Sequence, residues 1–191
     1  MNSKNSIIKT AKQTIELESQ SILNLSTLIN DDFADAVTLI YNSKGRVIIT
    51  GIGKSAIIAN KIVATLNSTG TPSIFMHAAE AIHGDLGLIL KDDVVICISN
   101  SGNTPEIKVL IPLIKRANNK IIAITGNSQS FLGEEAHFVL NSYVEKEACP
   151  NNLAPTTSTT AQLVIGDALA VCLLELRGFS SNDFAKYHPG G

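Results

Sequence analysis

The chain has 191 residues, enough for one domain with a full core, and a formal charge of -2 from 15 Lys and Arg against 17 Asp and Glu. No basic stripe is present, which argues against nucleic acid as a partner; the opening MNSKNSIIKTAKQ lacks a signal peptide's apolar run, and the longest apolar stretch, Leu163 to Leu176, carries Asp167 and is too short for a bilayer, so no membrane partner is expected. Hydrophobic residues make up 45% and charged ones 17%, a low-charge surface that points to an oligomer, and Cys97, Cys149 and Cys172 show neither metal-ligand nor CxxC spacing, so reduced thiols and a cytoplasmic location are expected.

In chain order, Ile8, Ile15, Ile22 and Ile29 repeat at seven-residue intervals, with Ala11 and Leu25 in the alternate row. This predicts a long helix with one apolar face, packed on the domain or on a neighbouring subunit; Glu18 interrupts the second row and argues against a free coiled coil. A second helix is predicted from Asp32 to about Asn42, with Phe33, Ala36, Val37 and Ile40 inward. These N-terminal helices occupy residues 1–44 and pack on a domain spanning 45–191. Predicted strands follow at Val47–Thr50, Ser73–His77, Val94–Ser99, Lys120–Thr125 and Phe138–Asn141. Helical stretches of roughly 10–15 residues separate several of them, including an amphipathic run from Gly51-Ile52-Gly53-Lys54-Ser55 to Leu66. The fold class is therefore α/β, a three-layer αβα sandwich around a five-stranded parallel sheet. Ser158 to Leu176 reads as a helix apolar nearly all round and hence buried, and Asn182 to Tyr187 as a short last helix.

Ligands on such sheets bind beyond the carboxyl ends of the strands, where three loops are unusual: Gly51–Ser55, Ser99–Thr104 and Thr125–Ser130. In VVICISNSGNTPE a buried strand runs into Ser99, Asn100, Ser101, Gly102, Asn103 and Thr104, and Pro105 then suits the first turn of a helix. Hydroxyls and free N–H groups at a helix's positive end make a phosphate cradle without lysine. An ordinary Ser/Gly-rich loop has the same composition, and both readings stand on these residues alone. GIGKS is not a Walker loop, because the required upstream glycine falls in strand at Ile48 and Ile49. Nor is it a good dinucleotide site, since no carboxylate appears before Glu80. What remains is a tight turn that raises Lys54 and Ser55 to the top of the sheet.

Thr156-Thr157-Ser158-Thr159-Thr160 opens the long helix with more hydroxyls than a cap requires, so a second oxygen-binding loop is expected there beside simple capping. His77 and His83 flank Glu80, with Asp85 close. That spacing allows a metal at His77, though capping is the commoner role for such residues. For Glu80, Glu106 or Glu147 taken singly, a plain surface residue is the simpler reading.

Together, GIGKS, STGTPSIFMHAAEAIHGDLG, ISNSGNTPEI, ITGN, KEACPNNLAPTTSTTAQLVIGDALA and FAKYHPGG resemble the sugar isomerase (SIS) domain family, and within it the D-arabinose 5-phosphate isomerases. The resemblance runs from about Gly45 to Gly191. It implies a flavodoxin-like or Rossmann-like sheet, a homotetramer, no cofactor, and interconversion of D-ribulose 5-phosphate and D-arabinose 5-phosphate for Kdo, lipopolysaccharide or capsule synthesis. The family's functional lysine matches Lys54, its two glutamates Glu106 and Glu147, and its histidine His188. Its substrate pocket falls on Gly70, Thr71, His77 and His83, joined by Ser55, Ser99, Asn100, Ser101, Thr104, Thr157 and Ser158. Any metal at His77 would not be required for catalysis. Many members continue past HPGG into two regulatory CBS modules, so a short form or the catalytic part of a longer chain is expected. The competing classes are a phosphosugar-sensing module, which would not need all four catalytic groups, and an isomerase for another sugar phosphate.

The implied chemistry moves a proton between C1 and C2 through a cis-enediol. Glu147 is the first choice of base, with burial beside Ala148-Cys149-Pro150 expected to raise its pKa; Glu106 is the runner-up or orients Lys54. Lys54 stabilises the enediolate, and His188 serves ring opening, reaching a neighbouring subunit's site.

Overall fold

A computed structural model describes residues 3–188. Pro189, Gly190 and Gly191 of the HPGG motif lie outside the described residues. Five strands, β1 (Val47–Gly51), β2 (Ser73–His77), β3 (Val94–Ile98), β4 (Lys120–Thr125) and β5 (Phe138–Asn141), form one sheet in the order β2-β1-β3-β4-β5. Every pairing is parallel. Each strand falls within one residue of its expected limits.

Period-two alternation divides the buried side chains between two faces. Val47, Ile49, Val94, Ile96, Ile98, Ile122 and Ile124 pack against α2 (Asp31–Asn42), α3 (Lys54–Ser68) and α7 (Thr157–Leu176). Ile48, Val95, Cys97, Ile121 and Ala123 pack against α4 (Ala78–Ala81), α5 (Pro105–Arg116) and α6 (Phe131–Glu135). The sheet is thus covered on both sides, as an all-parallel sheet with near-continuous apolar strands requires. The remaining helices are α1 (Lys4–Leu25) and α8 (Ser181–Tyr187), the latter closed by a capping box between Ser180 and Asp183.

Two helix expectations need correction. The isoleucine stripe does not lie on one helix: α1 ends at Leu25, a 3-10 turn follows over Ser26–Leu28, and Ile29 is extended. Its upper half is not packed on the domain either, since Ile8 and Ile15 are 54% and 66% exposed. The long α7 is not buried all round. Ala161, Ile165, Leu169, Ala170 and Leu173 face the core, whereas Val171 and Leu176 are exposed. At 20 residues it is long and apolar enough to cross a membrane by composition, but it lies on α3 with α1 laid over it.

One buried ion pair ties the amino-terminal edge of the sheet together. Asp93 is almost fully buried and takes Arg46 Nη2 at 2.7 Å, the Arg46 N–H at 2.7 Å and the Leu90 N–H at 2.8 Å. Burial alone would raise its pKa, but the Arg46 side chain and the two N–H groups together hold it below the usual carboxylate range. The stability it contributes is present above the unfolded carboxylate pKa of about 3.9 and is lost as pH falls through the lower folded value. Asp93→Ala leaves Arg46 and two N–H donors unmet, so it is expected to lower unfolding stability by about 3 kcal/mol. Urea melts of both forms at pH 7 and at a series of pH values below about 3.9 check this: the gap narrows progressively as pH falls.

Candidate active site

The order β2-β1-β3 places a topological switch between β1 and β3, whose connections leave in opposite directions and open a crevice at the carboxyl edge. The GIGKS turn rises from β1 and the SNSGNT loop from β3, side by side. Gly53 has φ +59, open to glycine at no steric cost, and starts α3 with Lys54 in its first turn. Gly102 has φ +65, and a Cβ there would collide with the Ser130 side chain, so both backbone and space demand glycine. The loop is stapled by its own hydroxyls: Ser99 Oγ accepts the Gly102 N–H at 3.1 Å and Ser101 Oγ the Asn103 N–H at 3.3 Å. Accepting leaves both hydroxyl protons free to donate.

These loops line a cavity of about 260 Å³ whose walls include Lys54, Ser55, Ser99, Asn100, Ser101 and Thr104, closed by Ser158, Thr159 and Gln162 of α7. The amino termini of α3, α5 and α7 all open towards it, an arrangement that favours an anion. Thr104 Oγ1 is buried with no hydrogen-bond partner in the protein, as expected of a donor kept for a ligand. A second hollow of about 270 Å³ shares Asn100 and Pro155 with the first and contains Lys146, Glu147 and Asn152. The two hollows thus adjoin at Asn100 and Pro155, over the switch point.

Glu147 is fixed by the start of α7. Its Oε2 accepts the Thr156 N–H at 2.8 Å, the Ser158 N–H at 3.1 Å and the Thr156 hydroxyl at 3.1 Å, while its own N–H donates to Asn152 Oδ1 at 2.7 Å. Desolvation pushes its pKa up, as the sequence suggested, but the donors at Ser158 and Thr156 outweigh it and the net shift is downward. The expectation of a raised pKa is therefore corrected: this carboxylate is held below its ordinary range. All three bonds end on Oε2, leaving Oε1 to act. The hydroxyl run is only partly a binding loop, because Thr159 and Thr160 bond back to the Thr156 carbonyl. Thr157 is fully buried and its Oγ1 has no partner, but it does not line the cavity.

Other expected residues are placed differently. Glu106 sits half-buried in the first turn of α5, yet Lys54 is exposed and in no ion pair among the described residues, so Glu106 does not hold it. His77 ends β2 at the same edge of the sheet and caps α4, its Nδ1 accepting the Ala79 N–H at 3.3 Å. Among the described residues no three His, Cys, Asp or Glu side chains gather to hold a metal, which removes the structural support for a metal at His77. His83 is exposed just beyond α4.

Gly70 and Thr71 lie past the far end of α3, roughly 22 Å along its axis from Lys54. Both have packing duties there. A Cβ on Gly70 would meet the Phe179 ring, and Thr71 Oγ1 accepts from Arg177 Nε at 3.3 Å. Phe179 stacks on Tyr187, and the His188 ring stacks on Phe184 at 3.8 Å while its Nδ1 meets the Phe184 carbonyl at 2.9 Å. Within one subunit, Gly70, Thr71 and His188 thus share the end of the molecule opposite the cavity.

Gln162 was missed by the sequence reading. It is the amide within an otherwise apolar stretch of α7, and that isolation was the available signal. It is fully buried, and its Oε1 accepts the Ser55 hydroxyl at 3.1 Å.

Fold and site define an α/β domain that gathers hydroxyls, helix amino termini, a lysine and a fixed carboxylate at one switch point, the equipment of a phosphosugar-handling protein. The SIS domain matches residues 39–172, and the chain belongs to that family. It is 55% identical over 184 residues to arabinose 5-phosphate isomerase KdsD of Pseudomonas aeruginosa, covering 96% of this chain and 56% of that protein. It is 50% identical over 186 residues to arabinose 5-phosphate isomerase KpsF of Escherichia coli, covering 97% and 57%. The chain thus spans little more than half the length of these curated relatives. Among solved structures, c3406 of E. coli CFT073 in complex with arabinose 5-phosphate superposes with a TM-score of 0.94 at 41% identity, over 99% of this chain and 100% of that one.

Proposed function

We propose that the chain is the isomerising unit of an arabinose 5-phosphate isomerase, interconverting D-ribulose 5-phosphate and D-arabinose 5-phosphate in the cytoplasm to supply Kdo for lipopolysaccharide or capsule. The observation that carries this reading is that the cavity holding Lys54 and the SNSGNT loop adjoins, through Asn100 and Pro155, the hollow that holds Glu147. The relatives' names supply the sugar. The phosphate sits on Ser99, Ser101, Thr104 and the α5 amino terminus, away from the reacting carbons, so that its binding energy positions them. Glu147 Oε1 takes the proton from C2 of the aldose or C1 of the ketose and returns it to the adjoining carbon, while the hydroxyl proton passes between O2 and O1 at the enediolate stage. Lys54 stabilises the negative oxygen of the cis-enediolate between these steps. Glu106, at the start of α5, borders the phosphate end and serves orientation.

Ring opening requires a group that moves a proton between the ring oxygen and the C1 hydroxyl, a role that falls to the imidazole of His188. His188 lies at the wrong end of its own subunit, so it serves the site of a neighbour. The chain accordingly works as a homo-oligomer, a homotetramer in this reading, joined through the exposed Ile8 and Ile15 of α1 and the exposed Val171 and Leu176 of α7. The test is an isomerisation assay over a panel of pentose and hexose phosphates. Turnover confined to the arabinose 5-phosphate and ribulose 5-phosphate pair is expected. Binding without turnover of any member replaces the enzyme with a sensor, and preferred turnover of a hexose phosphate replaces the substrate.

A further inference from the structure

Gln162 combines three properties. It is 0% exposed, its Nε2 has no hydrogen-bond partner in the protein, and it lines the cavity beside Ser55 and Ser99. A buried amide with an unmet donor is costly, because the N–H groups have given up water for nothing. Such a residue is retained where a ligand supplies the missing acceptor. The pairing on its other side sharpens the point. Ser55 donates its hydroxyl proton to Gln162 Oε1, so Ser55 has no proton left for an anion, and the unmet side-chain donors on the α7 wall of the cavity are Gln162 Nε2 and Ser158 Oγ. The wall stands next to the SNSGNT loop, since Gly51 pairs with Ile98 and both turns leave from that register.

We propose that Gln162 is a phosphate-binding residue of this site, its Nε2 donating to a phosphate oxygen of the bound sugar phosphate while Ser55 locks the amide in the donating orientation. This extends the substrate site to the second turn of α7 and gives Ser55 a positioning role in place of the direct contact expected of it. The inference rests on the phosphosugar reading of the cavity.

Gln162→Met tests it, because Met has nearly the same length and no donor. Gln162→Met also removes the acceptor of the Ser55 hydroxyl, so the phosphate constants and not the melting temperature decide between a binding and a structural role. The same variant should raise KM for arabinose 5-phosphate and Ki for inorganic phosphate together, each roughly tenfold, with a smaller change in kcat. Ser55→Ala should raise both constants less, since the amide remains. Gln162→Glu, which turns a carboxylate oxygen towards the anion, should weaken phosphate binding further than Gln162→Met. An unchanged Ki for phosphate in Gln162→Met overturns the proposal, even if KM rises, as does a Ser55→Ala effect equal to that of Gln162→Met. Should Gln162→Met fail to fold, Gln162→Glu carries the same phosphate readout. Failure of the underlying reading looks different: the wild-type protein then neither turns over pentose phosphates nor is protected against thermal unfolding by inorganic phosphate.

Discussion

Glu147→Gln keeps substrate binding near normal and loses at least ~10²-fold in kcat, the lower range for general-base catalysis. Glutamine preserves the size of the side chain, and its carbonyl still accepts the Thr156 and Ser158 N–H groups that fix the carboxylate. It has no site that takes a proton from carbon. Exchange of the substrate's C1 or C2 hydrogen with deuterated water falls in parallel, because exchange reports abstraction itself. Glu106→Gln loses binding or rate but retains more exchange. If Glu147→Gln exchanges normally and Glu106→Gln does not, the two roles are reversed; if both exchange, His188 becomes the base.

The same geometry sets the pH dependence. A base works deprotonated, and Glu147 is held below the ordinary carboxylate range by the donors at Ser158 and Thr156, which outweigh its desolvation. The acid limb of kcat/KM assigned to Glu147, which reports the free enzyme, therefore lies below about 4.3, not at 6–7. A low pKa makes a weaker base but one that is fully ionised at neutral pH. The cost in basicity is offset by placement, since Oε2 is immobilised and Oε1 is presented in one direction. A pH–rate profile with its acid limb between 6 and 7, abolished in Glu147→Gln, overturns this account.

The sheet was legible because parallel strands buried on both faces write themselves as apolar runs. Val47–Thr50 and Val94–Ile98 admit little else, and Pro105 after SNSGNT marked the turn into α5. The contents of the cavity were legible for a related reason: strand ends and helix starts are adjacent in sequence as well as in space. Short elements escaped, because α4 and α6, of 4 and 5 residues, are too brief to show a period. The sign of the Glu147 shift escaped because it depends on N–H groups nine and eleven residues away, which no local pattern reveals. The isoleucine repeat predicted an apolar face correctly and its extent wrongly. A seven-residue period in sequence is unaffected by where a helix ends, so Ile29 kept the spacing after α1 had ended. The apolar composition of α7 was misread as complete burial, since an apolar helix with one exposed face and one buried all round have much the same composition. Gln162 escaped for the opposite reason: one polar residue among many apolar ones carries meaning only when its burial is known.

His188→Ala and Glu147→Gln, each nearly inactive alone, regain activity when their subunits are mixed. The expectation follows from where the groups sit. Lys54, the SNSGNT loop and the Glu147 loop meet at the carboxyl edge of the sheet, whereas His188 is stacked on Phe184 at the other end. A site built from one subunit's Glu147 and a neighbour's His188 is intact wherever a His188→Ala subunit supplies the glutamate and a Glu147→Gln subunit supplies the histidine. Equal mixing with random exchange makes about one quarter of all sites intact, so about one quarter of wild-type kcat returns. Unfolding and refolding the two variants together, or producing them from one cell, allows the exchange; mixing without exchange is the control. Loss of His188 alone lowers kcat by about 10²-fold if it moves the ring-opening proton, and the deficit is smaller for a substrate supplied in the open-chain ketose form. A mixture no more active than the sum of its parts places His188 in its own subunit's site or outside catalysis altogether. Light scattering on the same mixtures makes the result decisive, since a monomer at micromolar concentration has no neighbour to receive the histidine.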